Sequence, residues 1–170
     1  YSDAKAIDEY FALAYARKGL PVTAVRYFNA YGPRLDPQGY GSVIARFLSQ
    51  ALRGEPITVY NDGEQTRCFT YVADTVEGTI RAATTPEAAG RVFNIGSDRE
   101  IPIIELAQKI RDLTDSPSEI VHVSYASAYG LHFEETRRRV PDNSRARDIL
   151  DFEPQTSLEE GMQHTLDWFR

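Results

Sequence analysis

The sequence is poor in cysteine, methionine, tryptophan and lysine, and it contains no long hydrophobic run. Its one cysteine, Cys68, cannot form an intramolecular disulfide and reads as a small core residue, so we expect a reducing, cytoplasmic location. No apolar stretch approaches the roughly 18 to 20 residues that span a bilayer, so no membrane partner is expected. The three histidines, at positions 122, 132 and 164, lack the spacing of metal ligands, and no metal is expected.

The charge balance argues against a second class of partner. The chain carries 19 basic and 25 acidic residues, for a net charge of -6, and the basic residues form no stripe. Nucleic acid is therefore not an expected partner. Hydrophobic residues make up 42% of the 170 residues and charged residues 26%, which is typical of one globular domain with a real core.

The chain begins YSDAK, without an initiator methionine or a signal-peptide pattern, and runs directly into a helical pattern. We therefore expect a fragment whose upstream portion is missing.

Helical and strand patterns alternate along the chain, which predicts an α/β fold. Helices are expected over 4–18, 43–52, 74–83, 102–113, 144–150 and 157–168, and strands over 22–28, 57–60, 67–72, 92–95 and 121–123. The run 22–28 is typical of a buried parallel strand. The turn at 61–63, Asn-Asp-Gly, is a hairpin-type signal between two strands.

Tyr1 and Lys5 form a Tyr-x-x-x-Lys pair at the start of the first helix. A spacing of four residues places both side chains on one helical face, where the ammonium favours the phenolate and lowers the tyrosine pKa toward a value useful for proton transfer. The pair alone is a weak signal, because the chain has 10 tyrosines and such a spacing arises by chance.

A second block, RYFNAYGPR at 26–34, follows the first helix and the first strand. This order places Asn29 just beyond the carboxyl end of a strand, where ligands of open α/β sheets bind. The combination of helix, strand and polar loop makes a chance match much less probable than for the Tyr-x-x-x-Lys pair alone.

Together with further blocks, this pattern resembles the extended short-chain dehydrogenase/reductase family, in particular its NAD-dependent nucleotide-sugar epimerases, dehydratases and decarboxylases. The blocks are, in chain order, Tyr-x-x-x-Lys at 1–5, RYFNAYGPR at 26–34, GEPITVY at 54–60, QTRCFTYV at 65–72, FNIG at 93–96 and RVPD at 139–142. The resemblance implies the carboxyl-terminal part of a Rossmann-like parallel sheet plus a small mixed α/β substrate-binding lobe. Residues 1–35 would end the NAD-binding domain, and 36–170 would form mostly the nucleotide-sugar lobe, with 73–96 returning to the sheet.

By that resemblance, Tyr1 is the general acid/base that acts on a sugar hydroxyl. Lys5 would hold the nicotinamide ribose and depress the Tyr1 pKa. NAD would contact both residues and Phe28, which would lie near the nicotinamide. Without the resemblance, Phe28 reads as a core residue.

The resemblance assigns a UDP- or dTDP-sugar to a second group of residues. Asn29, Arg67 and Arg139 would contact the diphosphate, for which planar guanidinium groups are well suited. Asp142 would face a ribose hydroxyl, although it can equally cap the helix at 144–150. The other arginines of the run 137–139 are expected on a solvated surface.

The nucleoside would lie at the start of the second helix and along the following strand. Val43 would approach it through its backbone, and Thr58, Val59 and Tyr60 would embrace the base, mostly by backbone contacts. Tyr60 can instead be a strand residue that packs on the fold.

The implied reaction is transient oxidation of a sugar hydroxyl to a ketone. We favour a UDP-sugar 4-epimerase, with a UDP-glucuronate decarboxylase or a dTDP-glucose 4,6-dehydratase as alternatives. A non-catalytic module that senses a dinucleotide or nucleotide sugar, and a structural domain that binds neither, are the competing classes. The cofactor-binding Gly-rich turn is absent from these 170 residues, so the fragment alone is expected to be inactive. The resemblance also implies that the parent forms a homodimer through the Tyr-x-x-x-Lys helix, so that in the fragment the apolar face of 7–14 is expected to be either exposed or repacked.

Overall fold

The computed structural model describes residues 2–39, 42–124 and 136–170. Helices and strands alternate within them, which confirms the predicted α/β class. The α-helices are α1 (Ser2–Ala16), α2 (Val43–Leu52), α3 (Val72–Thr84), α4 (Ile103–Leu113), α5 (Ser144–Leu150) and α6 (Leu158–Phe169). The strands are β1 (Ala24–Tyr27), β2 (Ala30–Tyr31), β3 (Ile57–Tyr60), β4 (Thr66–Cys68), β5 (Thr70–Tyr71), β6 (Val92–Ile95), β7 (Glu100–Pro102), β8 (Ile120–Val123) and β9 (Arg138–Arg139). None of these helices has the length and apolar character needed to cross a membrane.

Most of the strand pairs are parallel. β1 pairs with β6, β2 with β5 and β3 with β8, all in parallel. β4 lies between β7, which is antiparallel to it, and β9, which is parallel. The segment after β1 links two of these pairs, because the Phe28 N–H donates to the Ile95 carbonyl of β6 and the Asn29 carbonyl accepts from the Thr70 N–H of β5.

The expectation of a buried strand over 22–28 was wrong in its burial. β1 is parallel, as predicted, but Ala24 and Val25 are only half-buried and Arg26 and Tyr27 are exposed. The physical reason is that the described chain supplies β1 with one neighbouring strand, so its other edge is not covered by these residues.

The turn at 61–63 has the predicted local geometry but does not form a hairpin. Asn61 and Gly63 have positive φ angles of 49° and 75°. A Cβ at Gly63 would lie 2.7 Å from a Val59 methyl group and 2.9 Å from the Ile104 Cβ, so close packing also requires glycine here. β3 and β4 on either side pair with other strands, because the turn carries the chain from one sheet to another.

Two hydrophobic clusters hold these elements together. The larger one lies between α2, β3, α4 and α6, and it buries the four α2 residues expected to face inward, namely Ile44, Phe47, Leu48 and Ala51. The smaller cluster joins α3, β6 and α5 around Phe93, Ile95 and Phe152. Residues 73–96 thus lie with β1, and α5 packs with them.

The first helix presents an apolar face to solvent, so of the two expected outcomes the face is exposed and not repacked. α1 has no buried residue, and Ile7 and Phe11 are 54% and 56% exposed. Its polar side is fixed to β1 by a two-pronged ion pair in which Arg26 donates to both carboxylate oxygens of Glu9, at 2.7 and 2.6 Å. This pair is therefore a main attachment of α1 to the sheet.

We expect α1 to loosen from β1 in acid. Hydrogen bonding to Arg26 lowers the pKa of the Glu9 carboxyl in the folded chain, and partial burial opposes the shift. The stabilisation is therefore fully present above the unfolded-state pKa of glutamate, about 4.3, and is lost as pH falls through the lower folded value. The protection factors of the α1 amides, which correct the exchange rates for the pH dependence of intrinsic exchange, should fall over that window and should not change over it in Glu9→Gln.

The size of this effect is modest, about 1 kcal/mol or less, because the pair is partly exposed and screened. Glu77→Gln is the matched control, since Glu77 pairs with Arg81 inside α3 and should leave exchange in α1 unchanged. Equal exchange of α1 in Glu9→Gln and the unaltered protein would show that the pair does not attach the helix.

Candidate functional site

Two arginines that lie far apart in the sequence are direct neighbours in the three-stranded sheet. Arg67 of β4 is in register with Arg139 of β9. Paired residues of neighbouring strands lie about 4.8 Å apart and project to the same face of the sheet. Thr66, Arg138 and Glu100 lie on the opposite face, where the carboxylate accepts hydrogen bonds from the other two. One sheet face therefore carries an arginine pair, and the other carries a neutralised cluster.

The three consecutive arginines differ in their partners. Arg137 donates to Asp62 at 2.9 Å, and Arg138 donates to Glu100 at 2.6 Å. Among residues 2–39, 42–124 and 136–170, Arg139 forms no ion pair with a carboxylate. Its guanidinium carbon instead lies 5.0 Å from the centre of the Phe28 ring. The expectation that Arg137 and Arg138 lie on a solvated surface is confirmed, since their side chains are 72% and 70% exposed.

The end of β1 is joined to the segment that carries Arg67. Asn29 has a positive φ of 40°, which asparagine tolerates better than most residues. Its amide donates to the Cys68 carbonyl at 2.7 Å, and its own carbonyl accepts from the Thr70 N–H. The Thr70 hydroxyl donates to the Phe28 carbonyl at 2.9 Å. These bonds hold the strand end against β4 and β5.

The structure thus brings four of the predicted residues together: Phe28, Asn29, Arg67 and Arg139. Two like charges directly opposite each other on a sheet are destabilising, and an anion between them relieves the repulsion. A diphosphate suits such a pair, because guanidinium groups bind phosphate oxygens through charge-assisted, often bidentate hydrogen bonds.

Asp142 follows this region but is used locally. Its carboxylate accepts the Ser144 N–H at 2.9 Å, and this bond lowers the pKa of the Asp142 carboxyl. Its carbonyl accepts from the Asn94 amide at 2.8 Å. The alternative role, at the start of α5, is therefore present, and the contact with a ribose hydroxyl stays a prediction.

The strand expected to embrace the base has an outer edge that α2 already contacts. The Thr58 N–H donates to the Gln50 side chain at 3.2 Å, and the Gln50 amide donates to the Thr58 hydroxyl at 2.9 Å. Arg46 donates to the Thr58 carbonyl at 3.3 Å and to the Tyr60 hydroxyl at 3.3 Å. Val59 is fully buried in the core, so of this segment only Thr58 and Tyr60 present half-exposed side chains.

Arg46 is a residue that the sequence reasoning missed. Its guanidinium lies 4.8 Å from the Tyr60 ring and 5.4 Å from the Phe47 ring, and its buried Nε has no hydrogen-bond partner within the described part of the chain. The sequence signal that could have identified Arg46 is its spacing of four residues from Gln50, which places both side chains on the α2 face that packs against β3. Val43 is the first residue of α2, where the backbone N–H has no partner within the helix.

The predicted catalytic pair is only half described. Tyr1 lies outside the described residues. Lys5 is exposed on α1, with its ammonium 3.4 Å from an Asp8 carboxylate oxygen. α1 is attached to β1, and Phe28 directly follows that strand, so Lys5 and the arginine pair are connected through β1. The catalytic roles of Tyr1 and Lys5 stay predictions.

Cys68 behaves as a core residue, as expected. It is buried, and burial together with the charge of Glu100 raises the pKa of its thiol to about 11. A thiol of that pKa is almost wholly protonated at neutral pH, which disfavours nucleophilic chemistry. In the described ranges no three His, Cys, Asp or Glu side chains cluster in a way that could hold a metal.

Known proteins match this chain over nearly all of its length. A family model described as GDP-mannose 4,6 dehydratase matches residues 1–165. UDP-N-acetyl-alpha-D-glucosaminuronate decarboxylase of Bacillus cytotoxicus is 48% identical over 170 residues, which cover 100% of this chain and 53% of that protein.

Solved structures give the same result. UDP-glucose 4-epimerase of Thermotoga maritima with UDP-glucose has a TM-score of 0.91 at 34% identity, and the match covers 99% of this chain and 52% of that one. UDP-glucuronic acid 4-epimerase of Bacillus cereus, in complex with UDP-glucuronic acid and NAD, has a TM-score of 0.82 at 28% identity, with 94% and 49% covered. The chain spans about half the length of the relatives it matches.

The parallel α/β fold and these matches confirm the predicted class, the extended short-chain dehydrogenase/reductases that act on nucleotide sugars. Within that class, the chain belongs to the GDP-mannose 4,6 dehydratase family.

Proposed function

We propose that the whole protein binds a nucleoside diphosphate sugar and that Arg67 and Arg139 hold the diphosphate. The observation that carries this proposal is the cross-strand register of the two arginines on one sheet face. In the proposed site Asn29 contacts the same phosphates. Its side-chain amide donates to the carbonyl of Cys68, the residue that follows Arg67. The nucleoside extends toward β3 and the start of α2, where Val43, Thr58 and Tyr60 are the contacts.

The reaction we propose is decarboxylation of a UDP-uronic acid through a 4-keto sugar. The support is the 48% identity to a decarboxylase of UDP-N-acetylglucosaminuronate. A ketone at C4 makes the C6 carboxylate a β-keto acid, which loses carbon dioxide readily. The 4-epimerase favoured from the sequence is the second candidate, because two of the solved neighbours are 4-epimerases, one with UDP-glucose and one with UDP-glucuronic acid and NAD. A non-catalytic sensing module would bind the same ligand without turnover.

The residues present fit the nicotinamide end of NAD. Phe28 is half-exposed and directly follows β1. A Cβ at Gly96 would lie only 2.8 Å from the Phe28 Cβ, so the observed position of Phe28 requires glycine at 96. Lys5 presents an exposed ammonium on the adjoining helix. Bound at this place, NAD would supply a hydride acceptor for the sugar C4 and, after loss of carbon dioxide, the hydride that reduces the C4 ketone again. In the proposed site Tyr1 takes the proton of the sugar hydroxyl. The Lys5 ammonium favours the ionised phenol of Tyr1 by lowering its pKa.

A homodimer in the cytoplasm is part of the same proposal. Its support is the exposed apolar face of α1, where Ile7, Tyr10 and Phe11 are each more than half exposed. Such a cluster of large apolar side chains commonly marks a contact surface.

The proposal is tested by product analysis of the whole protein with NAD. Three substrates are compared by NMR: UDP-glucuronate and UDP-N-acetylglucosaminuronate labelled with ¹³C at C6, and UDP-glucose. From at least one of the two uronates we expect labelled carbon dioxide and UDP linked to a five-carbon sugar. A changed C4 configuration without carbon dioxide would favour the epimerase, and binding without any product would favour the sensing module. Tyr1→Phe should abolish turnover but retain UDP binding.

A further inference from the structure

The Phe28 ring lies against the guanidinium of Arg139. The distance from the guanidinium carbon to the ring centre is 5.0 Å, within the range of about 6 Å over which a cation is attracted to an aromatic face. Arginine is the side chain that most often makes this contact, because its planar group can stack on the ring.

This contact replaces the ion pair that the neighbouring arginines make. Arg137 and Arg138 are held by carboxylates, whereas Arg139 has none among the residues described, and it faces Arg67 across the strands. A carboxylate would compete with phosphate for the guanidinium N–H groups. An aromatic face holds the cation without using those donors, so they stay directed to an incoming anion.

The backbone that carries the ring is fixed by hydrogen bonds on both sides of Phe28. The Phe28 N–H donates to the Ile95 carbonyl at 3.2 Å, and the Phe28 carbonyl accepts from the Thr70 hydroxyl at 2.9 Å. A side chain at position 96 would collide with the Phe28 Cβ, so glycine at this position allows Phe28 to lie where it does. The aromatic face is therefore a fixed surface for the long and otherwise mobile Arg139 side chain.

We propose that Phe28 is a positioning residue for the substrate diphosphate, acting through Arg139. The inference rests on the proposed function, in which Arg139 binds the diphosphate, and adds a role to the nicotinamide contact implied by family resemblance. Phe28 thereby couples the two halves of the site, because one ring borders both the sugar nucleotide and the place of the nicotinamide.

The test compares UDP with uridine by calorimetry on the whole protein. Phe28→Leu should weaken UDP binding about 3- to 10-fold, the value of an exposed to partly buried cation–π contact, and leave uridine binding unchanged. Phe28→Trp, which keeps a ring, should bind UDP as the unaltered protein does. In an Arg139→Gln background, Phe28→Leu should add nothing, since its effect passes through the guanidinium.

Several outcomes would overturn the inference. Equal loss of UDP and uridine in Phe28→Leu would assign the ring a purely structural role, and so would a loss that persists in the Arg139→Gln background. Should Phe28→Leu fail to fold, Phe28→Met against Phe28→Trp gives the same comparison of an apolar chain with a ring. Failure of the proposed function is distinguishable, because Arg139→Gln would then leave the preference for UDP over uridine intact.

Discussion

Replacing Arg139 by glutamine is expected to weaken UDP binding by the whole protein about 10- to 100-fold, and replacing Arg67 as well should reduce the affinity to that of uridine. A hydrogen bond to a charged group contributes roughly 1.5 to 3 kcal/mol, and each 1.4 kcal/mol is about tenfold in affinity. The two losses should not add simply, since in the proposed site both groups bind one ligand from paired positions of neighbouring strands. Isothermal titration with UDP and uridine measures both quantities.

The chain offers a matched control one residue away. Arg138→Gln removes the same charge from the same strand, but on the opposite sheet face, where Arg138 is bound to Glu100. It should leave UDP affinity within about twofold, because a general loss of positive field acts only weakly through solvent. Equal weakening by Arg138→Gln and Arg139→Gln would mean that net charge, and not the facing pair, attracts the ligand.

Asp74→Ala is expected to destabilise the fold by about 3 kcal/mol, because it removes two hydrogen bonds to a buried carboxylate. Asp74 lies in the first turn of α3 and is only 8% exposed. Its two carboxylate oxygens accept the N–H groups of Gln155 and Thr156 at 3.2 and 3.1 Å. These bonds attach α3, in the smaller hydrophobic cluster, to the segment that leads into α6 in the larger one.

Denaturant unfolding measures this effect, and for a chain of this size the loss corresponds to roughly 6 to 12 °C in the thermal midpoint. Asp74→Asn, which retains one acceptor oxygen, should fall between the alanine variant and the unaltered protein. Glu105→Gln is the control, because Glu105 occupies the same first-turn position in α4 but is exposed. Equal thermal midpoints for Asp74→Ala and Glu105→Gln would show that the Asp74 carboxylate does not stabilise the fold.

Local patterns in the sequence predicted individual elements well. The helix over 43–52 has the predicted bounds and buried face, and the strands over 57–60 and 92–95 agree residue for residue. These signals depend on hydrophobic periodicity, which is encoded within each segment. The partners of the strands are not encoded there. The sequence suggested a hairpin at 61–63, whereas β3 pairs with β8, about sixty residues further along the chain.

The candidate site likewise combines features that the sequence predicted with contacts that it did not. Family resemblance predicted that Arg67 and Arg139 converge, and their register places them side by side. The contacts of Arg46 with Thr58 and Tyr60 depend on how a helix packs over a strand edge, which no local pattern reports. The ring of Phe28 beneath Arg139 is likewise a contact between residues more than a hundred positions apart.

The most direct measurement of the central claim is a crystal structure of the whole protein with UDP. The account predicts that the guanidinium groups of Arg67 and Arg139 both lie within hydrogen-bond distance of the diphosphate oxygens, with Phe28 still stacked on Arg139. A diphosphate held by other residues, with these two arginines turned to solvent, would contradict it.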